Sequence, residues 1–144
     1  GNNQAARSSQ LTLYEFSDKF RLVSRTAADL PGMALISDFC ATPTYAIFVQ
    51  PPVATNAMQF MFNKEPGKVL QLENRASTLH LLKRDSSQSL TSIPIPFDGV
   101  VEADLQFINA YDTGDGKVVM DAIRTDTKNI ASKPSSWPWA STVE

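Results

Sequence analysis

The stretch ALISDFCATPTYAIFVQPP, residues 34–52, decides how the chain is read. Residues 33–40 and 45–50 are rich in β-branched and aromatic side chains, which suit a pleated surface, and are expected to form two strands. Thr42-Pro43-Thr44 supplies the turn between them. Pro51-Pro52 halts the second strand, because proline has no N–H to give to a ladder.

Upstream, residues 1–10 are small, polar and without periodicity, and read as a loose arm. Residues 11–16 then alternate, with Leu11, Leu13 and Glu15 on one side and Thr12, Tyr14 and Phe16 on the other. A turn at residues 17–19 and a return over 20–25 complete a hairpin. Residues 26–32 read as a connection that ends in Pro31-Gly32, a turn pair.

Downstream, residues 53–66 break the alternation. The segment NAMQFMFN, 56–63, has room for about two helical turns, with Met58, Met61 and Phe62 at i, i+3, i+4 spacing. Residues 68–73 and 78–84 read as a strand pair, and 85–92 as a serine-rich loop. Residues 93–97 carry two prolines and are excluded from a central strand. Residues 101–111 and 117–125 flank a turn at 112–116 whose glycines supply positive φ, the clearest hairpin in the chain. Residues 126–144 form a polar, proline-broken tail with Trp137-Pro138-Trp139 near its end.

This is an all-β pattern of about eight short strands with little helix. It lacks the strand–helix–strand rhythm of a parallel sheet. The expected fold is an antiparallel meander, a sandwich or about two blades of a β-propeller, with one short helix or loop insertion around 56–63. The β domain spans 11–125, between the N-terminal arm and the extended C-terminal tail. Exposed strand edges would make such a piece seek a partner.

Composition narrows the function. The chain has 144 residues, 42% of them hydrophobic, enough for one domain with a core. Thirteen basic residues against 15 acidic ones give a net charge of −2, without the basic excess that nucleic acid binding demands. The single cysteine, Cys40, excludes an internal disulfide and a cysteine-rich zinc site, and reads as a small buried apolar group. No apolar run reaches the ~20 residues needed to span a bilayer. Gly1 in first place is compatible with a processed product or an excerpt of something longer.

Two landmarks carry a resemblance. Ile36-Ser37-Asp38-Phe39, with Thr42, Tyr45, Phe48, Pro51 and Pro52, resembles the central segment of carotenoid cleavage oxygenases, the retinal pigment epithelial membrane protein-like family. Leu105-Gln106-Phe107-Ile108-Asn109-Ala110-Tyr111-Asp112, with Val118, Val119 and Asp121 after the turn, is similar to that family's Phe-His-x-x-Asn-Ala-Tyr/Trp-Glu segment. The order and separation of the two agree with the family. The lead-in at 13–16 and Leu30-Pro31-Gly32 matches as well.

The resemblance implies a propeller that holds iron(II) on four histidines from different blades. Imidazole suits a non-haem iron that must keep open positions. The two histidine positions inside this span are held here by Ser37 and Gln106. The one histidine, His80, matches neither and reads as an ordinary strand or surface residue. Asp112, Asp115 and Asp121 read as turn-capping carboxylates rather than a calcium loop. No phosphate-binding glycine pattern is present, and a serine hydrolase has no motif to rest on.

The expected function is therefore a non-catalytic accessory or structural subunit without catalytic residues, bound metal or cofactor, docked on a larger membrane protein assembly. Met58, Phe60, Met61 and Phe62 are expected to contact membrane, pigment or partner, because the resemblance places them in the family's membrane-dipping patch. Lys64 and Lys68 flank them, within reach of lipid headgroups. Trp137 and Trp139 are expected to anchor the tail on a partner. Family association extends this to a peripheral site on a plastid thylakoid, in a photosynthetic complex, near carotenoid or chlorophyll held by a partner; the fallback is cytoplasmic. Two alternatives stand beside it: a portion of an iron(II)-dependent carotenoid dioxygenase, and a soluble apocarotenoid binder.

Overall fold

The computed structural model describes residues 8–55, 61–62, 70–73, 75–95 and 103–126. Ten strands lie among them. The centre is a four-stranded antiparallel sheet made of β3 (Phe39–Ala41), β4 (Tyr45–Gln50), β7 (Thr78–Lys83) and β8 (Leu90–Pro94), in that order. A hairpin precedes it, β1 (Ser8–Phe16) with β2 (Leu22–Pro31), and another follows, β9 (Ala103–Asp112) with β10 (Val118–Asp126). The short pair β5 (Val53–Thr55) and β6 (Leu70–Leu72) is inserted between β4 and β7. The all-β antiparallel reading holds. A four-stranded sheet is the unit of a propeller blade, so the described residues hold one blade-like sheet with a hairpin on either side of it in sequence.

β4 sits between β3 and β7 and is buried from Ala46 to Gln50. Its uninterrupted apolar run is what a strand covered on both faces requires. Phe48 and Leu82 of the sheet meet Ala28 and Leu30 of β2 in the core, with Leu11, Leu13, Ala34, Ile36 and Leu90 packed around them. Burying Leu30, Phe48 and Leu82 contributes about 1.5–3 kcal/mol each.

Several boundaries and pairings differ from the sequence reading. The strand expected over 33–40 shrinks to Phe39–Ala41. Side chains take up the backbone groups upstream that a ladder would have used. Gln50 Nε2 donates to the Pro31 and Met33 carbonyls, and the Ser9 hydroxyl donates to the Gly32 carbonyl while accepting the Ala34 N–H. The expected pairing of 68–73 with 78–84 does not form either. β6 pairs with β5, and all six residues of β7 pair with the six of β4, which as a central strand needs a neighbour on each side. Finally, β2 runs on to Pro31 through the expected connection, because Thr26, Ala28 and Leu30 alternate inward.

β1 begins at Ser8, inside the stretch read as an arm, by pairing with Pro31. β8 is an edge strand, as its proline demands. Met61 and Phe62 have helical backbone; the rest of 56–63 lies outside the described residues. The tail beyond Asp126, with Trp137 and Trp139, also lies outside them, as do Met58, Phe60, Lys64 and Lys68.

Candidate functional site

The two landmarks of the sequence meet through one carboxylate. Asp38 Oδ1 accepts the N–H of Phe39 at 2.9 Å, and its Oδ2 accepts the N–H of Phe107, 69 residues away, at 2.9 Å. β3 and β9 are thereby held together where neither strand bonds the other in a ladder. Asp112 adds a second tie, its Oδ2 accepting the Thr44 N–H at 3.2 Å. Aspartate suits this position because its short side chain presents two acceptors to two backbone donors.

Ser37 directly precedes Asp38, and Gln106 directly precedes Phe107, whose N–H that carboxylate accepts. Both side chains are exposed. Gln106 lies opposite Ile123 of β10, which is also exposed. A β-bulge follows at once: Asn109 pairs with Asp121 but Phe107 with Ala122, so Ile108 is the extra residue. The bulge resets the strand's phase, with Leu105 and Phe107 half-buried before it and Ala110 and Asp112 half-buried after it.

A neutral hydroxyl and an amide are weak, hard donors, unlike imidazole, and do not fit an iron(II) centre. No group of three or more His, Cys, Asp or Glu side chains stands in metal-binding arrangement among the described residues.

His80 is not a surface residue. It is fully buried on β7, tilted against Phe48 with ring centroids 5.2 Å apart. Both ring nitrogens are engaged. Nδ1 lies 2.8 Å from the Ser92 hydroxyl and Nε2 lies 2.9 Å from Gln50 Oε1. The donors can be assigned. Gln50 Nε2 faces two carbonyls, so Oε1 is the oxygen turned to the ring, and turning the amide over would set oxygen against oxygen. His80 therefore carries its proton on Nε2 and accepts the Ser92 O–H at Nδ1. Burial holds its pKa below the usual histidine value, which keeps the ring neutral. The relay joins β2, β4, β7 and β8. It leaves no nitrogen free for a metal.

A second polar cluster ties the first hairpin to the central sheet. Glu15 accepts the Ser24 hydroxyl at 2.7 Å and pairs with the Arg84 guanidinium, whose Nε lies 2.6 Å away. Arg84 also donates to the Thr42 carbonyl at 2.5 Å. The Ser24 bond, then Arg84, holds the Glu15 carboxyl below the usual carboxylate range.

The remaining candidates are simpler. Asp115 accepts Thr113 and Lys117 within the last turn, which lowers its pKa, Lys117 first and Thr113 second. Asp121 is exposed on β10. Burial, then the nearby Asp38 charge, pushes the half-buried Cys40 thiol up, away from nucleophilic use. Met61 and Phe62 are 74% and 78% exposed.

A polar residue inside an apolar strand is the signal that points to His80 in TLHLLK. Nothing local points to its partners, which come from other strands. Glu15 and Arg84 have no such signal, because 69 residues separate them.

Comparisons with known proteins agree with these landmarks. The Retinal pigment epithelial membrane protein family matches residues 2–141. The apocarotenoid-15,15'-oxygenase of Synechocystis is 30% identical over 122 residues, covering 83% of this chain and 24% of the oxygenase. The crystal structure of its cobalt-substituted form superposes with a TM-score of 0.68 over 84% of this chain and 24% of that one. A chimera of that oxygenase with the retinal pigment epithelial membrane protein gives 0.66 over 80% and 23%, also at 30% identity. The chain thus spans about a quarter of the length of the relatives it matches. From the two landmarks, their carboxylate tie and these matches together, the chain belongs to the carotenoid cleavage oxygenase family, whose model is that of the retinal pigment epithelial membrane protein.

Proposed function

We propose that this chain supplies a carotenoid-oxygenase-type propeller segment that does not bind iron itself and serves as a structural or binding unit. The observation that carries this reading is the pair Ser37 and Gln106. They occupy the two positions where the family resemblance expects imidazole, and both side chains point to solvent. The Asp38 tie joins the backbone next to both positions, and neither side chain there is an imidazole. We further propose that the unit works at a membrane surface, docked on a larger assembly. The exposure of Met61 and Phe62 supports that step. A plastid membrane, a photosynthetic complex and a pigment contact remain proposals drawn from family association alone.

Metal analysis of the purified native polypeptide tests the first part. Less than a tenth of an equivalent of iron is the expected result, and stoichiometric iron overturns it. Vesicle sedimentation of Met61→Asp plus Phe62→Asp tests the second, with reduced partitioning expected and unchanged partitioning against it.

One finding favours a second reading, a portion of a carotenoid dioxygenase. Coverage of only 24% of the oxygenase leaves room for ligands elsewhere in a longer polypeptide. Oxygen-dependent loss of apocarotenoid absorbance with the native polypeptide would establish it. Retention of an absorbing apocarotenoid through purification would instead support the soluble binder.

A further inference from the structure

The two long hairpins turn in the same way. In the first, Ser17 N–H donates to the Arg21 carbonyl and Phe20 N–H to the Ser17 carbonyl, at 2.9 and 3.0 Å. In the second, Thr113 N–H donates to the Lys117 carbonyl and Gly116 N–H to the Thr113 carbonyl, at 2.7 and 3.2 Å. Each is a three-residue loop whose last residue is left-handed, the position that favours glycine. Gly116 fills it at φ +82°, whereas Phe20 fills it at φ +56°. A bulky residue in that region is strained. Phe20 gains nothing from packing in return, for it is 90% exposed.

The surroundings extend the feature. β1 turns its Leu11, Leu13 and Glu15 side inward, so the aromatic side faces out, with Tyr14 51% and Phe16 60% exposed. A bulge at Val23, between the Glu15–Ser24 and Phe16–Leu22 pairs, leaves the consecutive Leu22 and Val23 both outside. Lys19 and Arg21 flank Phe20, and Arg25 lies over the Tyr14 ring, 5.9 Å from its centroid. Asp18 is the one carboxylate at the tip, since Glu15 is spent on Arg84.

We propose that the β1–β2 hairpin tip is a wedge that inserts into an anionic bilayer surface, with Phe20 at its point. Its apolar set enters the acyl boundary, and Lys19, Arg21 and Arg25 meet the headgroups, the arrangement of an interfacial anchor. Charge complementarity selects this occupant: around the apolar tip, three cations stand against one anion. The strained phenylalanine is kept because the tip contacts lipid. The wedge rests on residues separate from Met61 and Phe62 and from the question of iron.

The test is sedimentation of the native polypeptide with phosphatidylserine-containing phosphatidylcholine vesicles and with phosphatidylcholine alone, for wild type, Phe20→Gly, Phe20→Trp and Lys19→Glu plus Arg21→Glu. Phe20→Gly is expected to raise the thermal midpoint, because glycine relieves the backbone, while lowering partitioning by roughly tenfold. Phe20→Trp keeps the partitioning. The double charge reversal removes the preference for phosphatidylserine. Unchanged partitioning of Phe20→Gly overturns the proposal, as does equal binding to both vesicle types. So does a loss of self-association in Phe20→Gly with vesicle binding intact, which would make the tip a protein contact. Loss of partitioning in Met61→Asp plus Phe62→Asp, with Phe20→Gly unaffected, overturns the wedge while leaving the other contact standing.

Discussion

His80 and Gln50 face each other across 2.9 Å inside the central sheet, imidazole Nε2 to amide oxygen, and neither has access to solvent at that contact. The neutral ring accepts the Ser92 hydroxyl at Nδ1. Protonation would put a second N–H there and set a charge beside Phe48 with no carboxylate at hand among its bonded partners. Burial accordingly depresses the pKa below the ordinary 6.5.

The pH dependence follows from that direction. The unfolded chain takes up its histidine proton near the ordinary value, and the folded chain only at a lower pH. Stability from this site is therefore complete above that value and declines as pH falls through the lowered native pKa. Urea unfolding at about pH 7 and at about pH 5 should show wild type losing stability over that interval. His80→Gln should cost about 1–3 kcal/mol at the upper pH and flatten the slope, as the titrating group is gone. An unchanged slope would place the titration elsewhere.

Glu15 and Arg84 predict a second, more acidic transition. The native carboxyl lies below its usual 4.5, through Ser24 and then Arg84. Its contribution is complete above that value and is lost as pH falls through the lowered native pKa. Glu15→Gln removes the charge and keeps the shape. It should cost about 1–3 kcal/mol at neutral pH, leaving the Arg84 guanidinium underpaired, and should weaken the acid-side loss. Guanidinium chloride midpoints measured from neutral to acidic pH check both effects.

How far the sequence could be read depends on distance along the chain. Alternation in 11–16 and the glycine turn at 112–116 are local signals, and both hairpins are present. The double proline after Gln50 does end β4. The reading failed where long-range partners decide. Residues 33–38 look like a strand until Ser9 and Gln50 take their neighbouring backbone groups. Residues 68–73 look like the mate of 78–84 until β4 claims the latter. Which side of β1 faces inward was not legible either, because Glu15 inside requires Arg84. Ser37 and Gln106 were identified by resemblance, and their meeting through Asp38 needed three dimensions.

The Asp38 tie makes a local prediction. Asp38→Ala removes the acceptors of the Phe39 and Phe107 N–H groups. The cost should be about 1–3 kcal/mol, since the bonds run to a charged acceptor. Hydrogen exchange separates it from a general loss of stability. The Phe107 amide should exchange faster in the variant under native conditions, while the amides of β7 keep their protection relative to the global unfolding energy. Uniform acceleration across β7 and β9 would mean that the carboxylate has no special hold on the second hairpin.

Gly116 permits a clean measurement of what the left-handed turn position is worth. A Cβ placed there meets nothing within 4 Å, so any cost of Gly116→Ala is backbone strain alone. That cost should be about 1 kcal/mol, the left-handed penalty less the entropy that alanine saves in the unfolded chain. In a domain of this size it corresponds to a fall of roughly 2–5 °C in Tm. Phe20→Gly should move Tm in the opposite direction by a similar amount, because the two turns share their hydrogen bonds. Differential scanning calorimetry of both variants decides the matter. If Gly116→Ala is neutral, the turn tolerates side chains freely, and the strain assigned to Phe20 loses its basis.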